Sequence, residues 1–178
     1  RDNHRRFYSN DFTILTESIV KGFINELRSA GNVYDASILP AMLVPERRTI
    51  SNLRLAAARF QADLLLTYRT ACNSYNKYRL LDANQTKAYY SVEAVLVDVR
   101  SGIITKSIVS AQDFSAQTQK GETNFAETIK KAELHAQSKA LMAIAQEINT
   151  YLQQVPFITT ATNDTPAKAA ASHANISS

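Results

Sequence analysis

AYYSVEAVLVDVRSGIITKSIVSAQDFSAQT, residues 88–118, is the stretch on which the fold turns. Its first part, residues 88–99, is rich in Tyr and Val, whose flat or branched side chains suit a pleated surface. Arg100-Ser101-Gly102 breaks the run, with glycine where a tight turn needs a positive φ, and residues 103–118 carry the chain back. The reading is one long antiparallel hairpin about Arg100–Gly102. Upstream, ADLLLTYRTACNSY (62–75) opens with a continuous apolar run and then alternates, the pattern of a central strand running out to an edge. Residues 76–86, with Asn76, Asp82, Asn84 and Gln85, read as a connection.

Helical periods flank this core. Leu15, Ile19, Phe23 and Leu27 recur every four residues, with Ala30 beyond them. Asp11 or Thr13 is the expected N-cap and Gly31 the expected C′ residue. Val33 to Leu39 reads as a short strand or extended segment, and Pro40 and Pro45 frame a loop. In TISNLRLAAARFQ (49–61), a helical wheel puts Ile50, Leu53, Ala56, Ala57 and Phe60 on one face, with Arg54 and Arg59 pointing away. After Gly121, Asn124 and Glu127 resemble a capping box. Phe125, Ile129, Ala132, Ala136, Ala140, Ile144, Ile148 and Leu152 then form a stripe that Pro156 closes. Helices interleaved with strands and one hairpin imply an α/β (α+β) fold, a two-layer sandwich with a mixed sheet covered by helices. Residues 11–155 form the expected single domain. Residues 1–10 are a polar leading segment, and 156–178, dominated by Ala, Thr, Ser and Asn, read as a flexible tail.

Composition removes several classes. The chain of 178 residues is 45% hydrophobic, too apolar for a wholly disordered protein, and four Gly exclude a collagen-like one. No stretch approaches the roughly 18 apolar residues of a spanning helix. The single Cys72 excludes an internal disulfide and a cysteine-based metal site. Net charge is +4, and ten of the eleven Arg lie before residue 80. Such an excess is mild, and a nucleic-acid patch is usually denser. Arg47, Arg48, Arg54 and Arg59 should nonetheless cluster on the outer side of the second helix and its entry. There they form a candidate contact surface for an acidic partner, a neighbouring subunit or anionic head groups.

His4, His135 and His173 have no ligand at helical spacing, and Glu133 and His135 lie about 200° apart on a helix. No Gly-rich phosphate loop or nucleophile elbow occurs, so neither a cofactor nor a metal is expected. Cys72 reads as a half-buried strand thiol. Asp63 reads as a cap where the second helix hands over to its strand, and Asp98 as an acceptor of local N–H bonds before the hairpin turn. Gly102 completes this set of turn and cap residues. Tyr68, Tyr75, Tyr78, Tyr89 and Tyr90 could stack bases, but cross-strand packing accounts for them equally.

Two segments carry a family resemblance. LRLAAARFQADLLLTYRT (53–70) resembles the helix-into-strand step of a group of bacterial periplasmic lipoprotein domains, and AVLVDVRSGIITKS (94–107) resembles their hairpin. The group includes the curli-export lipoprotein CsgG, the penicillin-binding-protein activator LpoB, the exopolysaccharide lipoprotein PelC and the amino-terminal domain of TolB. Gln61 and Ser101 stand where that group has Gly and Thr. The resemblance implies an anticodon-binding-domain-like sandwich in the periplasm, anchored at the outer membrane where a lipid is carried. It implies a non-catalytic role in binding a protein partner or assembling a homo-oligomer, as in secretion or another envelope complex. Membrane association would then come only from a lipid anchor absent from this chain. The alternative is a nucleic-acid-binding module, suggested by the basic charge and the implied layout.

Overall fold

The computed structural model describes residues 10–79, 83–118 and 125–155. Its sheet has three strands, β1 (Leu64–Lys77), β2 (Gln85–Asp98) and β3 (Ile104–Gln117), in that order and antiparallel throughout. The hairpin forms where expected, with Gly102 at φ 77°. β1 pairs with β2 without a slip, from Leu64 opposite Asp98 to Lys77 opposite Gln85. β2 and β3 keep register from Gln85–Gln117 to Leu96–Lys106 and then shift to Val97–Ile104. Thr105 is thus an extra residue on β3, a bulge, and its hydroxyl donates to the Leu96 carbonyl at 3.2 Å. Because side chains alternate with period two, the even-numbered residues of β2 share one face. Of these, Thr86, Ala88, Val92, Ala94 and Leu96 are buried.

Two helices cover that face. α1 (Asn10–Arg28) packs on α3 (Phe125–Gln154), and α3 lies across β2 and β3. The core joins Ile19, Phe23 and Leu27 of α1, Val92, Leu96 and Ile108 of the sheet, and Leu141, Ile144 and Ile148 of α3. Where α3 passes Ala88 its stripe narrows to Ala132 and Ala136, all fully buried. Residues without a long side chain let helix and strand backbones approach there. Two asparagines latch the helices. The Asn149 amide donates to the Glu26 carbonyl at 2.7 Å, and the Asn32 amide donates to the Leu152 carbonyl. Each carbonyl lies in a last helical turn and also accepts a backbone N–H from three residues on, Glu26 from Ser29 at 3.1 Å and Leu152 from Val155 at 3.2 Å.

Several sequence expectations are corrected. Residues 33–39 join no sheet, so the described sheet is purely antiparallel rather than mixed. β1 is an edge strand, not a central one, and its apolar Leu65 and Leu66 are only half-buried. α1 already includes Asn10, which places Asp11 and Thr13 inside the helix rather than at its cap. Gly31 does not take a positive φ. The second helix, α2 (Ile50–Arg59), is shorter than expected; it is capped by Thr49 and buries only Ala56 and Ala57. Phe60 becomes its C-cap and stays 39% exposed, and Ile50 is 40% exposed. The physical reason is length: ten residues touching an edge strand lay down one turn of contact, and the chain reverses before Phe60 can reach it. Gly121, Asn124, Pro156 and the two terminal segments, residues 1–9 and 156–178, lie outside the described residues.

Candidate interaction surface

One face of the sheet carries no helix over most of its length. Odd-numbered residues point there, and the register sets Arg69 opposite Glu93 and lines up Asn73, Tyr89 and Asp113 across the three strands. Arg69 Nη2 lies 2.6 Å from Glu93 Oε2, and Lys87 Nζ lies 3.1 Å from Asp113 Oδ2. The Tyr75 and Tyr89 rings meet edge to face at 5.7 Å, and the Lys87 ammonium sits 4.9 Å from the Tyr89 ring centroid. Hydrogen bonds to Tyr89 and then to Asp113 push the Lys87 ammonium above its ordinary pKa. Asn73, Tyr75 and Tyr89 line a shallow depression. Tyr75 is 67% exposed and Val109 69% exposed on the same face. The five tyrosines singled out in the sequence are therefore divided. Tyr75 and Tyr89 share the open face, Tyr68 meets Phe23 and Tyr78 meets Phe125 edge to face, and Tyr90 packs on the core.

The hairpin turn builds a second surface. Asp98 behaves as expected. Its Oδ1 accepts from the Ser101 backbone N–H at 2.6 Å and from the Ser101 hydroxyl at 2.7 Å, which holds the carboxyl below its ordinary pKa. Asp63 does not cap the helix with its side chain. Its carbonyl accepts from Val99 N–H at 2.9 Å, while its carboxylate faces Arg100 at 3.3 Å in solvent. The helix exit is made instead by Gln61 at φ 61°, with Ala62 N–H bonded to the Ala57 carbonyl and Gln61 N–H to the Ala58 carbonyl. That pair of bonds is the Schellman arrangement. Arg54 does not point away either. Its Nε donates to the Val99 carbonyl at 2.9 Å, tying α2 to the turn. Arg47, Arg48 and Arg59 are exposed, so the four-arginine cluster divides into one structural residue and three at the surface.

No family model and no curated protein matches this chain. Similar solved structures include a "putative lipoprotein" from Caulobacter crescentus CB15, at 17% identity and a TM-score of 0.42, covering 76% of this chain and 99% of that one. Another is a minor lipoprotein from Acinetobacter baumannii, at 15% identity and a TM-score of 0.30, covering 60% and 83% respectively.

The remaining candidates are dispersed. His135 is exposed and stacks on Phe114 at 4.7 Å, while His4 and His173 lie outside the described residues. Cys72 is exposed on β1 rather than half-buried, because α3 bears mainly on β2 and β3. Its thiol is pushed up by partial desolvation and then by Glu133, against a smaller opposing effect of Lys130. That is the opposite direction from an activated nucleophile. Among the described residues, no three His, Cys, Asp or Glu are grouped to hold a metal, and no helix is long and apolar enough to cross a membrane. Sequence reasoning missed Val109, Thr105 and Asn149. Only Val109 left a signal, as the apolar residue out of phase in the alternation of β3.

Proposed function

We propose that this chain is a non-catalytic domain of the bacterial cell envelope, of the CsgG, LpoB, PelC and TolB amino-terminal kind, that acts in the periplasm by binding protein through its open sheet face. The observation that carries the reading is the exposure of Tyr75, Tyr89 and Val109 on a flat surface framed by the Arg69–Glu93 and Lys87–Asp113 pairs. Exposed aromatic residues within a polar frame are the usual anchors of protein interfaces. Two edge strands of 14 residues, each without proline, offer backbone groups beside that surface. The sequence resemblance over residues 53–70 and 94–107 supports the envelope setting. A nucleic-acid reading finds less support, since Arg69 and Lys87 on this face are each matched by a carboxylate and leave Lys77 as a lone cation beside Tyr75, too little charge for a phosphate backbone.

The test is site-specific photo-cross-linking in cells, with the reactive residue at Tyr75 or Val109 and, as a control, at Gln146 on the exposed side of α3. Adducts from the first two positions, recovered in the envelope fraction, are expected. Adducts only from Gln146, or a cytoplasmic protein, would overturn the reading.

A further inference from the structure

β1 ends the sheet on one side, and the register tells which of its backbone groups point away from the sheet. One step beyond the Leu64–Asp98 pair, the Val99 N–H donates to the Asp63 carbonyl at 2.9 Å. Bonded and non-bonded pairs alternate along an antiparallel ladder. The odd-numbered residues of β1 therefore bond to β2, and the even-numbered ones, Leu64 to Asn76, turn N–H and C=O outward. Among the described residues, no backbone hydrogen bond from another element reaches those outward groups. Leu65 to Thr67 are half-buried, but from Tyr68 to Lys77 every residue except Ser74 is exposed. Tyr68 keeps 45% exposure although Phe23 of α1 meets its ring, so the helix layer does not close over the edge. The other edge is better guarded. The Thr118 N–H donates to the Asn84 carbonyl at 3.0 Å, so on β3 the odd-numbered residues turn outward, with Asp113 among them and the Thr105 bulge before them. Bulges and charges are the usual protection of a sheet edge. β1 has no bulge, proline or carboxylate.

We infer that β1 pairs antiparallel with β1 of a second copy of this chain, about a two-fold axis at Cys72, so that two three-stranded sheets join into one of six. In such an isologous contact a strand meets itself, and its own residues must fit one another. Outward groups bond only to outward groups, which sets Tyr68 against Asn76 of the second copy, Thr70 against Ser74 and Cys72 against Cys72. Charge and room select this register. β1 carries two cations, Arg69 and Lys77. An axis at Asn73 would set them directly opposite each other, which is unfavourable. An axis nearer Leu64 would press Tyr75 to Lys77 onto the half-buried Leu65 to Thr67, at the end where α2 meets β1. With the axis at Cys72, Arg69 faces Tyr75 of the second copy on the open face. The Arg69 side chain is 80% exposed and Tyr75 67%, so both are available. A guanidinium against an aromatic ring is a favourable cross-strand pair, and symmetry makes it twice. On the other face the hydroxyls of Thr70 and Ser74 come opposite each other. The contact rests on the backbone of β1, so it and the reading of the open face can fail separately.

Amide hydrogen exchange of the unaltered chain reads the seam residue by residue. In dilute solution only the odd-numbered amides of β1 should be protected. As concentration rises and sedimentation shows the mass of two chains, the amides of Thr70, Cys72 and Ser74 should become protected as well. Those of Val109, Ala111 and Asp113, on the outer edge of β3, should stay fast. Thr70→Pro removes an outward donor and no bond to β2, and should weaken the dimer about tenfold or more. Ala111→Pro, the equivalent change on β3, should leave it intact. A short bismaleimide should join the two exposed Cys72 thiols, whose Cα atoms would lie about 5.5 Å apart. In the double variant Cys72→Ser, Lys77→Cys it should join almost nothing, because those positions would lie roughly 33 Å apart. A single chain at every concentration would overturn the proposal. So would a dimer in which the even-numbered amides of β1 stay fast, one that Thr70→Pro leaves unchanged, or one that cross-links through position 77.

Discussion

Gln61 and Gly102 both take positive φ, and only one of them is a glycine. A side chain at a left-handed position costs about 1–2 kcal/mol. Gln61→Gly should therefore raise stability by about 1 kcal/mol, once the larger chain entropy of glycine is set against the relief. The reverse holds at the turn. A Cβ on Gly102 would meet the Arg54 guanidinium, which donates to the Val99 carbonyl, so a larger residue must shift that side chain as well as accept the strained backbone. Gly102→Val is expected to lose about 2–3 kcal/mol. Chemical denaturation of the two variants reads both signs. Asp98 adds a pH dependence. Its folded-state pKa lies below the ordinary value, so its contribution is fully present above that value and disappears as pH falls through the folded one. Asp98→Asn should flatten that acid limb, seen as a smaller drop in Tm between neutral and acidic buffer.

At the scale of elements, α2 and α3 differ in how firmly they are held. α3 buries ten residues, including Ile144, Ile148 and Leu141 in the main core. Ile144→Ala should cost about 2–5 kcal/mol, since a fully enclosed side chain leaves a cavity. Phe60→Ala would cost a similar amount were Phe60 buried as the helical wheel implies. At 39% exposure and in a C-cap position it should cost only about 1 kcal/mol. Thermal unfolding of the pair decides whether α2 contributes to the core or only rests against it. A loss for Phe60→Ala as large as that for Ile144→Ala would mean that α2 is packed more tightly than its exposure indicates.

For the whole molecule, stability should be graded from the central strand outward. β2 is paired on both sides and covered by α3, whereas the 3₁₀ turn Ala41–Leu43 buries none of its residues and α2 buries two alanines. Segments with few buried apolar contacts open first. Amide hydrogen exchange should therefore show residues 50–59 exchanging well before the middle of β2 and before residues 140–149 of α3. Uniform protection across these segments would contradict that order.

The sequence by itself determined the local elements. Alternation in residues 88–118 and glycine at 102 specify the hairpin, because strand period and turn conformation are properties of consecutive residues. The stripe from Ala132 to Ile148 specifies the buried face of α3 for the same reason, since a helix repeats its own face at fixed steps. Asp98 was legible too, its bonds reaching only three residues ahead. Tertiary structure decided everything that depends on what lies opposite. An apolar run such as Leu64–Leu66 has the same pattern in a central strand and an edge strand, and only the count of neighbours separates them. Arg54 reads as a surface cation until a turn 45 residues away supplies a carbonyl. Gln61 itself gives no sign of a left-handed backbone, because the Schellman bonds that hold it there belong to the main chain; only the glycine that the resembling group has at this position marks it. Tyr75 and Tyr89 come together, and part from Tyr68 and Tyr90, through a register fixed by every pair along the ladder at once. Local order follows from the chain's own periods, whereas a surface is made by partners far apart in sequence.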